Sequence, residues 1–219
     1  AKDVVFRKTG EDSPTLIVEM TGGRTIHCDP SHPFFVETYR WVSGRGKEIT
    51  IKRVAASDLK PEDQIHVSLP EVSKSELDKK AYTLGFLYGD GHFSVSNSSA
   101  SVSICCPEKE VCREGLYYPL VSSINESDNR GYTRIYFSKN EFFSNRYKDF
   151  FPRELYVASV DEKASFVAGL FDADGNYTPK TKAIRLSCSH YDFLIGVRRV
   201  LESIGILSHI CTGTIKSGY

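Results

Sequence analysis

Two stretches decide how this chain is read: Leu84-Gly-Phe-Leu-Tyr-Gly-Asp-Gly91 and Val167-Ala-Gly-Leu-Phe-Asp-Ala-Asp-Gly175. Each is an apolar helical run that ends in Asp-Gly. Gly85 and Gly89 stand four residues apart, as do Gly169 and Ala173, and residues four apart share a helix face. Each helix therefore carries a strip of small residues leading to its aspartate. Such strips let helix axes pack toward the near end of the usual range of about 8–10 Å. Two helices packed this way would deliver Asp90 and Asp174 as neighbours. Paired carboxylates repel, so the pair either keeps a proton or recruits a divalent cation. Oxygen-only ligands suit Mg2+, which retains several waters and bridges to phosphate. A metal held over a phosphodiester activates water and stabilises the leaving oxygen. A plain Asp-Gly turn after the helix is the simpler account of either copy alone, but not of two copies with matching surroundings.

The surroundings do match. Ser73 with Glu76, and Ser159 with Glu162, have the spacing of a capping box, which predicts a helix start before each motif. Twelve residues beyond the terminal aspartates stand Val102 and Leu186, both in strand-like runs. A second helical stretch is predicted over Pro107–Ile124 in the first copy and Tyr191–Ile204 in the second. Polar β stretches follow at Arg130–Ser138 and Ser208–Lys216. The pattern is an internal duplication. The first copy continues past Phe143 to Pro152, whereas the second is expected to be clipped at Tyr219.

Residues 1–70 read differently. Thr15–Met20, a Gly22-Gly23 hairpin signal and Arg24–Cys28 predict two antiparallel strands. Pro30 and Pro33 punctuate the chain before extended structure resumes at Phe34-Phe35-Val36. Ile49, Ile51 and Val54 alternate, and Asp58-Leu-Lys-Pro-Glu-Asp63 is turn chemistry ahead of a strand at Gln64–Val67. A polar linker at Pro70, Ser73 and Ser75 separates this β region from the duplicated one.

Composition bounds the function. In 219 residues, 28 Lys and Arg balance 28 Asp and Glu, while 40% hydrophobic and 26% charged residues lie in the globular range. No run approaches the ~18 apolar residues of a membrane span, so no membrane partner is expected. Zero net charge excludes a uniformly basic coat but permits local patches. The six cysteines form no CxxC pair, so reduced thiols and a cytoplasmic location are expected. A zinc site from Cys105, Cys106 and Cys112 lacks the usual ligand spacing.

The paired motifs resemble those of the LAGLIDADG (dodecapeptide) homing endonucleases; the second differs from the family's own name at two of nine positions. The resemblance covers residues 73–219. It implies that Asp90 and Asp174 are catalytic acids that bind Mg2+, with the backbone carbonyls of Gly89 and Ala173 as further metal ligands. The second motif has an extra acid at Asp172, set against Gly89 in the first. The strands after each helix would form saddles on double-stranded DNA, in a monomer with internal pseudo-two-fold symmetry.

Local charge agrees with that picture. Arg130–Arg153 carries six basic residues against two acidic, and Asn176–Lys216 again six against two. Lys and Arg neutralise phosphates, and from strands they also reach base edges. Arg130, Arg134 and Lys139 in the first window, with Lys180, Lys182 and Arg185 in the second, are the predicted DNA-binding residues. Tyr132, Tyr136 and Asn140 add polar contacts. Lys148 resembles the lysine that precedes the family's inter-repeat proline, which implies a role polarising water or the scissile phosphate.

The N-terminal region resembles the Hint domain of inteins. Gly23-Arg-Thr-Ile-His-Cys-Asp-Pro-Ser-His-Pro-Phe-Phe-Val36 looks like the motif carrying the splicing histidine, and Asp58–Ile65 like the stretch that follows it. The resemblance implies that His32 assists the first acyl shift of splicing by polarising the upstream peptide bond. Asp29 stands where such domains have Thr, a carboxylate able to hold a histidine in place. The start Ala1-Lys-Asp-Val and the end Lys216-Ser-Gly-Tyr219 carry no splice junction.

The expectation is therefore an α+β chain. A partial all-β Hint domain over 1–70 precedes a pseudo-symmetric αββαββ-repeat LAGLIDADG endonuclease domain over 71–219. It would be an internal fragment of an intein-encoded endonuclease whose partners are target DNA and the host protein's exteins. Two alternatives are a degenerate, non-cleaving DNA- or RNA-binding LAGLIDADG protein and one piece of a split intein acting in trans.

Overall fold

The computed structural model describes residues 14–71, 76–94, 96–104, 111–127, 132–139, 141–143 and 145–213. Ser73, Cys105, Cys106, Arg130, Asn140 and both chain ends, including Ala1–Val4 and Lys216–Tyr219, lie outside them. The chain divides into two compact units, Ala1–Ser68 with Cys211–Tyr219, and Leu69–Ile210.

The first unit is β structure. Strands β1 (Leu16–Met20) and β2 (Arg24–Cys28) form an antiparallel hairpin in which Met20 pairs with Arg24. The loop is thus three residues, Thr21-Gly22-Gly23, rather than the expected two. Both glycines have positive φ, +83° and +73°, conformations that glycine adopts without steric cost. Strands β3 (Pro33–Val42) and β4 (Gly46–Ala55) pair over their full ten residues, and the short β5 (Gln64–Ile65) joins the other edge of β3. Phe34 and Val36 point into the core, while Phe35, Tyr39 and Trp41 alternate to an exposed face shared with Ile49 and Ile51.

In the second unit, helices α1 (Lys79–Asp90) and α2 (Val160–Asp174) form the centre. The capping box at Ser159 and Glu162 is present as expected. Helix α1, however, starts at Lys79, where the Asp78 carboxylate accepts from the Ala81 amide at 2.8 Å. The preceding residues are strapped to the start of α2. Glu76 donates its amide to Asp161 at 3.1 Å and Asp78 donates to the Ser165 hydroxyl at 2.8 Å. Those bonds hold the approach extended, so the helix begins after them.

The two helices meet through backbone. A Cβ at Gly85 would lie 1.9 Å from the Phe166 carbonyl oxygen, and one at Gly169 would lie 2.0 Å from the Tyr82 carbonyl oxygen. Asp90 and Asp174 differ by 84 (174 − 90), and the same offset relates Gly85 to Gly169 and Tyr82 to Phe166. The contact is reciprocal, as in a two-fold interface. Each helix is flanked by two cores. Leu84, Tyr88, Phe166, Leu170 and Phe193 belong to one, and Phe86, Leu87, Val102, Ile135 and Phe137 to the other. That is why α1 is apolar almost all round.

The duplication extends into hydrogen-bond register. After α1, β6 (His92–Ser94) pairs with β7 (Ser99–Ile104) as His92↔Ser101, Phe93↔Ala100 and Ser94↔Ser99. After α2, β10 (Gly175–Thr178) pairs with β11 (Ala183–Leu186) as Asn176↔Arg185, Tyr177↔Ile184 and Thr178↔Ala183. These three pairs match under the same offset.

Beyond these hairpins the copies diverge from the expected αββαββ pattern. In the first, β8 (Val121–Ser127) and β9 (Tyr132–Phe137) complete a four-stranded sheet in the order β6-β7-β9-β8. The predicted helix over Pro107–Ile124 is absent among the described residues of that stretch. Val111–Gly115 and Tyr118–Leu120 are short 3-10 turns, and β8 takes over at Val121. Tertiary contacts override the periodicity here. Gly115 lies against the Tyr82 ring, where a Cβ would come within 2.5 Å, and the Tyr117 amide donates to the Thr83 hydroxyl at 2.7 Å. In the second copy α3 (Tyr191–Ser203) forms as expected, but no strand follows among the described residues through 213, where a β stretch from Ser208 is predicted. Among the described residues no helix is long and apolar enough to cross a membrane.

In a free helix, Gly→Ala gains ~1 kcal/mol from propensity. At Gly85 and Gly169 the collision with a carbonyl oxygen outweighs that gain. G85A and G169A are each expected to destabilise the second unit by ~3 kcal/mol. Alanine-to-glycine replacement at the exposed Ala168 should cost only ~1 kcal/mol. Urea denaturation of the full chain measures both.

Candidate active site

Helices α1 and α2 end side by side. The small strip continues from Gly85 to Gly89, where a Cβ would lie 2.4 Å from the Ala173 Cβ and 3.4 Å from the Asp174 amide nitrogen. Asp90 and Asp174, the final residues of the two helices, are thereby held at one place. Asp90 is half-buried and Asp174 exposed. Gly91 and Gly175 do not form a left-handed helix stop. Their backbones are extended (φ −80°, ψ 171° and φ −74°, ψ 150°), so each helix passes directly into a strand. Glycine is needed because a Cβ would lie 2.6 Å from the Leu87 carbonyl oxygen at Gly91, and 2.3 Å from that of Phe171 at Gly175.

The offset that relates the repeats sets Gly89 against Ala173, and Tyr88 against Asp172. The reading that opposed Gly89 to Asp172 is therefore off by one residue. Asp172 accepts from the Tyr82 hydroxyl at 2.7 Å, tying its helix to α1.

Two carboxylates and two helix C-termini, each the negative end of a macrodipole, converge here. A cation meets them: the Lys148 ammonium donates to the Gly89 carbonyl oxygen. Lys148 and Asp174 also line one cavity of about 330 Å3, together with Tyr88, Cys188, His190 and Phe193. The segment that carries Lys148 is anchored two residues earlier. Arg146 donates from Nε to the Phe142 carbonyl at 3.1 Å and from Nη1 to Glu154.

Tyr88 is buried, stacked on Phe193 with ring centroids 5.6 Å apart and edge-on to Phe166. Burial pushes its phenol up to about 12, against the opposing pull of Arg146. Sequence reading missed Tyr88 and Glu154, and counted Arg146 only within the basic window Arg130–Arg153. A tyrosine in an apolar motif reads as core, and its correspondence to Asp172 was the available signal.

Among the described residues no group of three or more His, Cys, Asp and Glu side chains is arranged to hold a metal. Two carboxylates with adjacent carbonyls are the oxygen-only kind of donor set that hard divalent cations take.

The predicted DNA-binding residues fall into two groups. Arg134 lies on β9 between Ser103 of β7 and Asn125 of β8. Thr133, Ile135 and Phe137 point into the core, so Arg134 and Tyr136 share the outer face, and Lys139 is exposed just beyond the strand. Lys180 and Lys182 are exposed in the loop joining β10 to β11, and Arg185 is exposed on β11 opposite Asn176. Arg130 lies outside the described residues.

In the first unit His32 is exposed, edge-on to Phe34 with centroids 5.3 Å apart. Asp29 does not clasp it. The Asp29 carboxylate accepts from the Ser31 hydroxyl at 2.6 Å and the Ser31 amide at 2.8 Å, and these bonds hold it below the usual carboxylate range. Asp29 closes an Asx turn.

Residues 161–218 match the LAGLIDADG-like domain family. The chain is also 29% identical over 226 residues to the ribonucleoside-diphosphate reductase large subunit of Invertebrate iridescent virus 6. That match covers 94% of this chain and 22% of the relative, so the chain spans about a fifth of the relative's length. Two solved structures are similar in part. The N-terminal LAGLIDADG domain of DUF199/WhiA has a TM-score of 0.40 at 21% identity, over 58% of this chain and 65% of that one. I-DmoI in complex with DNA and Mn has a TM-score of 0.41 at 17% identity, over 59% and 78%.

Tyr88 gives a direct check on this packing. Its phenol is raised in the folded state, so its contribution to stability is whole below the ordinary value of 10.0 and is lost as pH rises through about 12. The unmutated chain should therefore lose more stability than Y88F between pH 10 and 12. Denaturant titrations across that range measure the difference, and parallel curves would contradict the buried environment.

Proposed function

We propose that the chain belongs to an intein that carries a site-specific DNA endonuclease, hosted by the large subunit of a ribonucleotide reductase. One observation carries the nuclease reading. Reciprocal glycine contacts bring the helix ends that carry Asp90 and Asp174 together, and Lys148 bonds to the Gly89 carbonyl there, beside polar strand faces. The match to a reductase large subunit along nearly the whole chain supports the host, since a LAGLIDADG repeat is foreign to nucleotide reduction itself.

In this reading the outer face of β9, with Arg134 and Tyr136, and the β10–β11 hairpin, with Lys180, Lys182 and Arg185, bind duplex phosphates and groove edges. The scissile phosphate then sits over the helix ends. Asp90 and Asp174, with the carbonyls of Gly89 and Ala173, would hold Mg2+, which supplies charge neutralisation and an activated water when bound. Lys148 donates to the phosphate oxygen as charge develops. Water adds to phosphorus, the bond to the leaving sugar oxygen breaks, and that oxygen takes up a proton. The protein's share is orientation: neither aspartate can withdraw while the glycine strips fix the helix ends.

His32 belongs to the first unit and would serve the splicing reaction. In the complete protein it would donate to the amide nitrogen at the upstream junction during the acyl shift.

The test is nicking or linearisation of a plasmid that carries the uninterrupted reductase coding sequence, in Mg2+. Cleavage at one site is expected, reduced about a hundredfold or more in D90N and D174N. Equal activity in D174N and the unmutated chain would sink the assignment. A gel shift at that site without any cleavage would favour the non-cleaving binder.

A further inference from the structure

We infer that the Lys148 ammonium is the resident counter-cation of the paired helix ends, and that it and a divalent metal exclude one another at the Gly89 carbonyl. The inference rests on the reading of Asp90 and Asp174 as a metal site and deepens it.

Close packing has gathered negative charge at one point. Asp90 and Asp174 adjoin, and α1 and α2 both end there, each adding the partial negative charge of its last carbonyls. Gly85, Gly89 and Gly169 pack the helices so closely that no side chain fits between them. Charge gathered this way requires a positive neighbour, and the chain brings one from 59 residues away in sequence: Lys148, on Gly89. The carbonyl it engages belongs to the residue just before Asp90, and it is a donor that a metal between the two aspartates would use. The carbonyl has two lone pairs, but an ammonium on one of them would lie beside a divalent ion on the other, and the two cations repel.

Metal entry therefore breaks the Lys148–Gly89 bond. The displaced ammonium has somewhere to go, because Lys148 lines the same cavity as Asp174. Arg146, fixed to Phe142 and Glu154, keeps the backbone in place while the side chain swings. Lys148 is thus a placeholder without metal and a free cation, available to an incoming phosphate, only with metal.

The consequence is measurable without any cleavage assay. Mn2+ serves as the probe, with free ion counted by electron paramagnetic resonance on the full chain, without DNA. Substituting Lys148→Met keeps the aliphatic stem and removes the competitor, so K148M should bind Mn2+ about tenfold more tightly than the unmutated chain. D174N should bind more weakly. K148Q is a second variant in case K148M does not fold. In the unmutated chain, adding Mg2+ should raise the rate of Lys148 acetylation by acetic anhydride, read by mass spectrometry, while lysines remote from the helix ends are unchanged.

Mn2+ binding that D174N weakens but K148M and K148Q leave equal or weaker would overturn the placeholder while keeping the metal site. Lys148 acetylation that Mg2+ leaves unchanged would overturn it as well. Mn2+ binding that is absent, or indifferent to D174N, would overturn the metal site itself, and the placeholder with it.

Discussion

The contact on which the second unit depends is a pair of glycines, each pressed against the other helix's backbone. Gly85 meets the Phe166 carbonyl and Gly169 meets the Tyr82 carbonyl. No side chain, not even a methyl, fits between. Two consequences follow from that one constraint. The helices become a single rigid element with apolar residues on both flanks, so two cores grow against it, one per side. Their C-termini must also coincide, which places like charges together. Burial of Phe86, Phe166, Leu87 and Leu170 on the two sides supplies the apolar free energy that outweighs this repulsion, and Lys148 lowers it further. Packing creates the electrostatic problem, and the chemistry of the site is built on its solution.

The parts legible in sequence were those set by local rules. Small residues at four-residue spacing gave the helix contact, Ser159 with Glu162 gave one helix start, and strand-like runs gave the hairpins after each motif. The parts that were not legible depend on contacts far apart in the chain. Asp78 caps α1 because Asp161 and Ser165 hold the residues before it. The stretch after Val111 turns instead of forming a helix because Gly115 lies on the Tyr82 ring and Tyr117 bonds to Thr83. Resemblance alone suggested Lys148; its reach to Gly89 crosses a distance in sequence that no spacing rule spans. Tyr88 went unread because an aromatic residue inside an apolar motif carries no local mark of its buried hydroxyl.

The two repeats share register but not environment. At the position where the second has Asp172, bonded across to Tyr82 of α1, the first has Tyr88, buried among Phe93, Phe166 and Phe193. The helix end that carries Asp90 is therefore backed by a dense aromatic wall, and Asp90 is half-buried. The helix end that carries Asp174 is exposed and opens on the cavity that Lys148 also lines. Symmetric backbones thus present two unlike carboxylates. A duplicated fold explains why there are two acids at one point, and the Tyr88-for-Asp172 difference explains why they need not act alike. The half-buried Asp90 backs onto the aromatic wall and the exposed Asp174 faces the cavity, so the same charge sits in two different surroundings.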